Sequence, residues 1–412
     1  MGLTEIRTAM KVDLKKPAAE QPGLHNRWHP DVPFNGTIKN GEVVKIECVD
    51  WTGGQIGNND SADDMKNIDL TKIHYLTGPF EIETAEPGDV LVVEIQDVQP
   101  FQEQPWGFTG VFDKNNGGGF LAEIYPNAAK AIWDFEGIFC SSRHIPHVRF
   151  PGLIHPGILG CAPSAEILAE WNRREGELIS TNTDSSIVVA QPPEPQNVHA
   201  GSASDEIKAK VGKEGARTIP GRPEHGGNCD IKNLSRGSKT YLPIHVKGAK
   251  FSVGDLHFSQ GDGEISFCGA IEIAGVITLK LTVMKNGMKD LGMKSPIFLP
   301  GPVEPHYGPG RYLTFEGFSV DHKGKQYYLD ATVAYRETTL RCIEYLKRFG
   351  YDDYQIYLLL SCAPIQGHVA GLVDIPNACM TLGLPMDIFD FDISPSGSAT
   401  KMDMGTCAFT SK

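Results

Sequence analysis

Alternating apolar and polar positions recur along the chain and predict β-strands over most of its length. Residues 41–51 alternate with a period of two, and residues 240–284 consist almost wholly of strand-like runs separated by turn signals. Successive side chains of a strand point to opposite faces, so this pattern fits strands that bury one face. Short strands with glycine-rich turns are typical of a sandwich or a barrel. The sequence therefore predicts a mainly β, α+β fold, sandwich-like or barrel-like, with a few peripheral helices.

Helical signals are fewer and fall mostly near the C-terminus. The first predicted helix begins after Ser164, a good N-cap, and ends at Gly176. Two further helices are predicted over 332–350, which ends at a glycine, and over 353–363, which ends before Pro364. These helices follow the β-rich part of the chain, which is the order expected of an α+β protein rather than of alternating β-α units.

Breaks in the pattern divide the chain into five predicted parts. They are an N-terminal arm (1–40), a β-rich N-terminal domain (41–180), a surface excursion or lid (181–223), a β-rich domain that carries an acid and histidine cluster (224–330), and an α/β C-terminal part with a tail (331–412). Within them, the turn at 86–89 predicts a hairpin or a corner, 366–385 predicts a closing strand and a short helix, and the tail after 393 is expected to be loosely ordered.

Charge and cysteine content narrow the functional classes. The net charge of -13 argues against a nucleic-acid binder or a protein that binds anionic membranes, because both need clustered Lys and Arg. The nine cysteines contain no CxxC pair, which fits free thiols in a reducing compartment. Neither a signal-peptide core nor an apolar run of membrane-spanning length is found in the sequence. We expect a cytoplasmic protein that binds a small molecule, without nucleic-acid or membrane partners.

The richest chemistry lies in residues 224–272, where acids and histidines alternate with glycine turns. Asp255 and His257 are two residues apart, so in a strand both project to the same face and both could reach one ion. Asp262 and Glu264 repeat this spacing on a glycine turn. Taken singly, an acid near a glycine is more often a turn or cap group than a metal ligand. The concentration of such residues is what favours a metal or hydrolytic site.

Other candidate residues have weaker support in the sequence. His225, His245 and His306 could each be an ordinary core or surface imidazole, and that interpretation is preferred over a role in the site for His245 and His306. Cys229, Cys268 and Cys362 could be nucleophiles, but buried free cysteines usually act as small apolar residues. The motifs of zinc proteases, nucleophile elbows and Walker loops are absent from the sequence.

Several long segments resemble the acetamidase/formamidase family, and the resemblance covers nearly the whole chain. The matching segments are GGQIGNNDS (53–61), HYLTGPFEIETAEPGDVLVVEI (74–95), FPGLIHPGILGCAPS (150–164), the stretch from PEHGGNCD to GDGE (223–264) and SCAPIQGHVAGLVDIPNACMTLGLP (361–385). The resemblance implies a β-rich fold, hydrolysis of a short amide to a carboxylic acid and ammonia, and homo-oligomers, with trimers or hexamers expected. The length of the chain is more similar to that of the formamidases than to that of the shorter acetamidases.

The resemblance also implies a bound divalent ion and no organic cofactor. Zinc is the first expectation and calcium the alternative. Position by position, the segments that match suggest Asp60, Asp230 and His257 as metal ligands, with Asp255 and His74 in reserve. Choosing among neighbouring acids is a physical inference from spacing, because hard oxygen and imidazole ligands must converge from several loops.

Catalytic and substrate-binding roles are assigned to residues near these ligands. Glu264 is the candidate proton shuttle, with Asp262 beside it on the same turn. Asn228 or Gln260 is expected to hold the amide group of the substrate. The aromatic residues expected to form the pocket wall, although each could equally be ordinary core, are Trp51, Trp106 and Phe108.

The predicted reaction is attack of ion-activated water on the carbonyl carbon of formamide, with selectivity from a small pocket that excludes larger acyl groups. Three alternatives stay open. The chain could be an acetamidase of the same family, or a β-sandwich binding module stabilised by calcium and without catalysis. It could also be a thiol-dependent enzyme that uses Cys229 or Cys362.

Overall fold

A computed structural model describes residues 5–182, 196–302, 311–395 and 399–411, and His306 lies outside these ranges. Within these ranges most regular structure is strand, arranged in three sheets, and the helices are few. The predicted mainly β, α+β class is confirmed. The sheets are separate and packed together, and the described strands do not close into a barrel.

The first sheet has six strands and is built around one long central strand. From edge to edge the order is β1 (Thr8–Met10), β4 (Val43–Cys48), β16 (Gly275–Met284), β6 (Val90–Pro100), β13 (Lys239–Pro243) and β17 (Ile297–Leu299). Strand β16 pairs antiparallel with both β4 and β6. The alternation predicted for β4 is confirmed, because Val44, Ile46 and Cys48 are buried while Lys45 is exposed.

The second sheet has twelve strands and carries the candidate site. Its main path is β10 (Arg149–Pro151), β9 (Phe139–Ser142), β8 (Ala129–Glu136), β7 (Trp106–Val111), β15 (Phe267–Ile273), β14 (Phe251–His257), β11 (His155–Cys161) and β12 (Gly226–Asn228). The remaining strands are β5 (Leu76–Ile82), which pairs with β14, β2 (Leu24–His25) and β3 (Thr37–Ile38), and β21 (Ala408–Phe409), which pairs with β8. Strands far apart in sequence thus become neighbours.

The third sheet is small and is covered on one side by helices. Its order is β18 (Tyr312–Phe318), β20 (Cys379–Pro385) and β19 (Gln366–Gly371). The α-helices of the described residues are α1 (Asp63–Lys66), α2 (Ala165–Thr181), α3 (Asp205–Glu214), α4 (Gly287–Asp290), α5 (Ala331–Leu346) and α6 (Asp353–Cys362). Short 3-10 turns occur at Ala18–Glu20, Leu70–Lys72, Lys347–Phe349 and Met386–Ile388. None of the helices in the described ranges is long and apolar enough to cross a membrane.

The predicted helices are confirmed, with one end misplaced. Ser164 caps α2 by accepting a hydrogen bond from the Ile167 backbone, as its position suggested. The helix does not stop at Gly176 but continues to Thr181. Arg173 pairs with an acid one turn on, Glu177, and this i to i+4 contact spans the glycine. The other two helices agree with their stop signals, since Gly350 has a left-handed backbone and Ala363 precedes a proline.

Three smaller predictions have mixed outcomes. The turn at 86–89 forms with Gly88 at a φ of 94°, and it is a corner because it joins β5 and β6, which belong to different sheets. The segment 366–385 contains two strands rather than a strand and a helix. The tail is better ordered than expected: Phe409 pairs with β8, and the Ser411 backbone donates to Asp63 at 2.9 Å.

The predicted lid segment is only partly described, because residues 183–195 lie outside the described ranges. The part that follows is packed against the rest of the protein. Helix α3 buries Val211, and the guanidinium of Arg222 pairs with Glu175 of α2 at 2.7 Å. Ile219 packs beside an apolar cluster that contains Trp51. The borders of the five predicted parts stay a prediction.

Candidate active site

The site forms where four neighbouring strands of the second sheet bring acids and imidazoles together. Antiparallel pairing sets His257 at the end of β14 opposite His155 on one side and opposite Glu272 of β15 on the other. Asp230 follows β12, the strand beyond β11. Glu264 lies in the turn between β14 and β15. Sheet register therefore gathers residues that are up to 117 positions apart (272 − 155).

His257 is the centre of two overlapping groups that could hold a metal ion. The first contains Asp230 and Glu264, and the second contains Asp255 and Glu272. In each group the candidate ligand atoms lie within 4.8 Å of one another. The His257 Nε2 atom is 3.2 Å from Asp255 Oδ1 and 3.2 Å from Glu272 Oε2. Five ionisable side chains thus share one buried volume.

Three buried atoms of this cluster make no hydrogen bond of good geometry: Asp230 Oδ1, His257 Nε2 and Glu272 Oε2. The last two lie only 3.2 Å apart, so their polar contacts are with each other and, for His257, with Asp255. Buried polar atoms are almost always satisfied, so three orphans in one place need a partner of another kind. The space beside them is kept free by Gly157. A Cβ there would lie 2.6 Å from Asp255 Oδ2 and 2.8 Å from Asp230 Oδ1. Oxygen and nitrogen atoms that can bind a metal, around a space that no side chain fills, fit a cation.

The backbone at three of the acids adopts a conformation that is rare outside glycine. Asp230, Asp255 and Glu264 have φ values of 46°, 55° and 44°. A left-handed backbone costs an L-residue roughly 1–2 kcal/mol. Such outliers are typical of functional sites, where the surrounding structure holds a side chain in place against the cost. The strain therefore supports a role for these carboxylates other than folding.

Burial and mutual repulsion perturb the acids strongly. Burial, with repulsion from Asp255, raises the pKa of Asp230 to about 7. Burial also raises the pKa of Glu272 to about 7, opposed by its contact with the imidazole of His257. The pKa of Glu264 is raised well above its usual range by burial and by the charge of Asp230. Four carboxylates around a single imidazole need a positive partner if all are to be ionised.

The orientation of His257 is set by a neighbouring amide. Gln260 donates from Nε2 to the backbone oxygen of Asp230 at 2.6 Å, so its Oε1 atom must face the other way. That oxygen lies 3.1 Å from His257 Nδ1 and 3.0 Å from His155 Nε2. Although burial opposes it, the charges of Glu272 and Asp255 raise the pKa of His257 well above its usual range. A proton on Nδ1 satisfies the contact with Gln260, so a cation bound at Nε2 would take the place of the second proton and leave the tautomer that a metal-binding imidazole needs.

A cavity of about 290 Å³ leads to Asp230 and Glu264. Its other lining residues are Trp51, Leu70, Ile73, His74, Phe112, Gly117, Ile219, Asn228, Gly263 and Phe267. Two larger cavities, of about 390 and 660 Å³, lie elsewhere. Neither of them contains a group of acids and imidazoles that could hold an ion, among the residues that the structure describes.

Asn228 lines this cavity and has one acceptor atom without a hydrogen-bond partner. Its Nδ2 atom donates to the backbone oxygen of Ile219 at 2.9 Å, which fixes the orientation of the amide. Its Oδ1 atom is buried and has no hydrogen-bond partner. A small ligand that carries N–H groups would satisfy this oxygen.

Several predicted site residues do come together. Asp230, Asp255, His257 and Glu264 form the cluster described above, and Asn228 lines the cavity. His74 and Trp51 line the same cavity, with their ring centroids 5.2 Å apart. The imidazole of His74 is held by Thr218 at 3.1 Å. Gln260 is present too, but its amide contacts protein groups rather than facing the cavity.

Other predicted residues are placed differently. Asp60 is exposed and pairs with Arg143 at 2.7 Å, and it belongs to neither potential metal group. Asp262 pairs with Lys232 at 2.8 Å and likewise belongs to neither group.

Two of the three predicted wall residues also lie away from the cavity. Phe108 is buried in an apolar cluster, and Trp106 packs against that cluster. Neither of them is among the lining residues. Phe108 and Trp106 therefore fit the alternative interpretation, that they are ordinary core residues.

Three residues of the site received no role in the sequence interpretation. Glu272 ends the acidic stretch and completes the second metal group. It lies opposite His257 on a neighbouring strand, so its position depends on the pairing register. His155 belongs to the segment FPGLIHPGILGCAPS, and Gly157 follows two residues later. The histidine could have been noticed as a candidate in that segment, whereas the glycine is one of 45.

The cysteines are poor candidates for a nucleophile. All nine are unpaired thiols. Burial, with repulsion from Asp230, raises the pKa of Cys229 to about 12. Burial also raises the pKa of Cys362 far above its usual value. A thiol is nucleophilic only as a thiolate, so these surroundings disfavour the thiol-dependent alternative.

The mainly β fold and the buried cluster of acids around an imidazole fit a hydrolase, and comparison with known proteins identifies the family. The sequence model of the acetamidase/formamidase family matches residues 11–391. This chain therefore belongs to the acetamidase/formamidase family, a family of amidohydrolases. The resemblance noted in the sequence is confirmed.

Three curated relatives and one solved structure are similar along nearly their full length. A Schizosaccharomyces pombe protein with a provisional formamidase assignment is 72% identical, covering 98% of both chains. A formamidase of Methylophilus methylotrophus is 53% identical (96% of this chain, 97% of the relative), and an acetamidase of Mycolicibacterium smegmatis is 51% identical (86% and 89%). The structure of a gamma lactamase from Delftia acidovorans superposes with a TM-score of 0.94 at 53% identity, covering 98% of this chain and 100% of that one.

Proposed function

We propose that this protein is a formamidase, which hydrolyses formamide, and more weakly other short aliphatic amides, to a carboxylic acid and ammonia. One observation carries the proposal: Asp230 and Glu264 of the cluster around His257 line a cavity that is also lined by Asn228, whose Oδ1 atom has no hydrogen-bond partner. Relatives named as formamidases at 72% and 53% identity support the choice of substrate.

The residues that would hold a divalent ion are His257, which both groups share, with Asp255 and Glu272 of one group and Asp230 of the other. A bound divalent ion supplies a Lewis acid that polarises a carbonyl oxygen and makes water a stronger nucleophile. Zinc is the first candidate because of the imidazole ligand, and calcium is the alternative because the other ligands are carboxylates. Asp60 and His74 leave the proposed ligand set, since neither is part of the two groups.

The protein residues bind the amide and move the proton. Asn228 Oδ1 accepts a hydrogen bond from the NH₂ group of the substrate, which places the carbonyl carbon toward the acids. The oxygen of a water molecule adds to that carbon, the C–N bond breaks, and formate and ammonia leave. Glu264 borders both the cavity and Asp230, so it is our candidate to take the proton from water and give it to the nitrogen.

Two alternatives differ in substrate or in class. Acetamide is the first, because the Mycolicibacterium relative named as an acetamidase is about as similar as the Methylophilus formamidase. A cyclic amide belongs among the substrates tested, with ring opening to an amino acid as its readout, because the similar Delftia structure is named as a gamma lactamase. The second alternative is a calcium-stabilised binding module, which would use the same carboxylates and release no ammonia.

We also propose a cytoplasmic homo-oligomer, a trimer or a hexamer. Nine unpaired thiols support a reducing compartment. Self-association is supported by exposed apolar side chains at the edge of the third sheet: Val369 is 56% exposed, Val373 79% and Ile375 66%. Large apolar patches of this kind usually mark interaction surfaces.

The test is ammonia release from formamide, acetamide, propionamide and urea, and formation of the ring-opened amino acid from a γ-lactam, each with and without a chelator. We expect formamide to be hydrolysed fastest among the short linear amides. Ammonia release from acetamide at a higher kcat/KM than from formamide would favour the acetamidase alternative. The absence of hydrolysis of every one of these substrates would favour the binding module.

A further inference from the structure

The cavity at the candidate site is larger and more apolar than formamide requires. Its volume is about 290 Å³. Roughly 10–15 Å³ of such volume already holds one water molecule, and formamide has only three non-hydrogen atoms. The remaining space is far more than the small exclusive pocket expected from the sequence, so selectivity for the smallest amides is not explained by the size of the cavity.

The extra space is bordered by one continuous apolar wall. Trp51, Leu70, Ile73 and Phe112 belong to a single packed cluster, and Ile219 packs against it. Trp51 and Phe112 meet edge to face with their ring centroids 6.1 Å apart. Except for Ile219, these residues are less than 8% exposed, so the wall is rigid and its shape is defined by the fold. Contact between water and such an apolar surface is unfavourable, so an apolar substituent that covers the surface would be stabilised by the hydrophobic effect.

Phe267 adds a second aromatic surface at the mouth of the cavity. Its side chain is 49% exposed, which is unusual for a phenylalanine, and its φ is 74°. The turn is held by a hydrogen bond from the Phe267 backbone to the Glu264 oxygen at 3.0 Å. The chain therefore keeps an exposed aromatic residue in a costly backbone conformation beside the catalytic acid. A ligand that covers this ring would remove its apolar surface from water.

We propose that the site takes primary carboxamides whose acyl group carries a compact branched, cyclic or aromatic substituent, in addition to formamide. The substituent would lie between the wall around Trp51 and the ring of Phe267. The inference rests on the proposed amide hydrolysis, and the reaction is the same: the oxygen of water adds to the carbonyl carbon, the C–N bond breaks, and the nitrogen leaves as ammonia.

The experiment compares kcat/KM for formamide, acetamide, isobutyramide and benzamide. Each additional buried methylene contributes about four-fold in affinity, so we expect kcat/KM to rise from acetamide to isobutyramide by about ten-fold. Two variants test the wall. Phe267→Ala removes the exposed ring, and Ile219→Trp fills the space. Both should lower the ratio of kcat/KM for isobutyramide to that for formamide by about ten-fold, while Ile138→Ala, an exposed apolar residue outside the cavity, should leave the ratio unchanged.

The outcomes separate this inference from the proposed function. Hydrolysis of formamide with a kcat/KM that falls from acetamide to isobutyramide would overturn the inference and leave the formamidase proposal intact. A rise along the series that neither variant alters would overturn the assignment of the wall. Failure to hydrolyse any amide would overturn the proposed function, and this inference with it.

Discussion

Glu264 combines a strained backbone with a buried carboxyl group next to Asp230. Neither feature helps the protein to fold, so a substitution of Glu264 tests its role in the site directly. Sequence spacing pointed to it because Asp262 and Glu264 share a glycine turn, but only the structure separates the two. Asp262 has a lysine partner, Lys232, whereas Glu264 faces the cavity.

We predict that Glu264→Gln lowers kcat for formamide by at least about 100-fold, which is the usual contribution of a general acid or base. The variant should fold, and its free energy of unfolding should not decrease, because one repelling buried carboxylate has been removed. Steady-state kinetics and urea unfolding check both parts. A kcat within about two-fold of the wild type would remove Glu264 from the mechanism.

Gly157 is the residue whose importance was invisible in the sequence. It keeps open the space beside Asp230, Asp255 and His257, and that space exists only once β11, β12 and β14 are paired. Asp255 and His257, in contrast, could be predicted as partners because two residues of one strand share a face. Local spacing is readable from a sequence, whereas a void between strands is not.

We predict that Gly157→Ala abolishes metal binding, because the added Cβ would lie 2.6 Å from both Asp255 Oδ2 and His257 Cε1. Metal content of the purified protein and ammonia release from formamide are the measurements. Gly371→Ala is the matched control, since the Cβ there meets only Asp374 Oδ2 at 3.3 Å. Full metal content in the Gly157 variant would contradict the proposed position of the ion.

At the scale of elements, the loop 53–61 changed its role most between sequence and structure. It was expected to supply a metal ligand through Asp60, but that residue pairs with Arg143. The loop is instead held by Lys130 of β8. The Lys130 Nζ atom donates to Gly57 O at 3.0 Å and to Asp64 Oδ2 at 2.7 Å, although its side chain is fully buried. A polar, glycine-rich loop can thus have structural contacts rather than metal-binding ones.

We predict that Lys130→Met lowers the free energy of unfolding by about 3 kcal/mol, because the loss of one partner leaves Asp64 and the Gly57 carbonyl uncompensated. Chemical denaturation is the measurement, with Lys401→Met on the exposed tail as the control. A change below about 0.5 kcal/mol would show that the loop does not depend on this contact.

Helices and turns were predicted better than strand neighbours. The helix cap at Ser164 and the helix end at Gly350 were predicted from local signals, and the structure confirms both. The order of the twelve-stranded sheet is not local, because β14 has β11, β15 and β5 as neighbours. Alternation shows that a segment is a strand, but any other alternating strand could be its partner. The same limit applies to the site. Glu272 is brought next to His257 by strand pairing, so its place in the site could not be predicted from the sequence.

At the scale of the whole molecule, the edge of the third sheet exposes apolar side chains that the rest of the described protein does not cover. Strand β19 is an edge strand, and the loop after it exposes Val373 and Ile375. An exposed apolar edge invites association with another chain.

We predict a solution mass that is a multiple of 45.0 kDa, with a trimer or hexamer expected. Val373→Glu should shift the protein to smaller species, because a charge would be buried in the interface. Size-exclusion chromatography with light scattering is the measurement, and Ile138→Glu on another exposed surface is the control. A monomeric wild type would contradict the prediction.

The central claim is that the cluster around His257 hydrolyses a short amide. The most direct measurement is ammonia release from formamide by the purified wild-type protein and by a folded His257→Ala variant, each with its metal content determined. We predict formamide-dependent release by the wild type and a loss of at least about 100-fold in the variant, together with loss of bound metal. Undiminished release by the variant, or no release by a folded, metal-loaded wild type, would contradict the account.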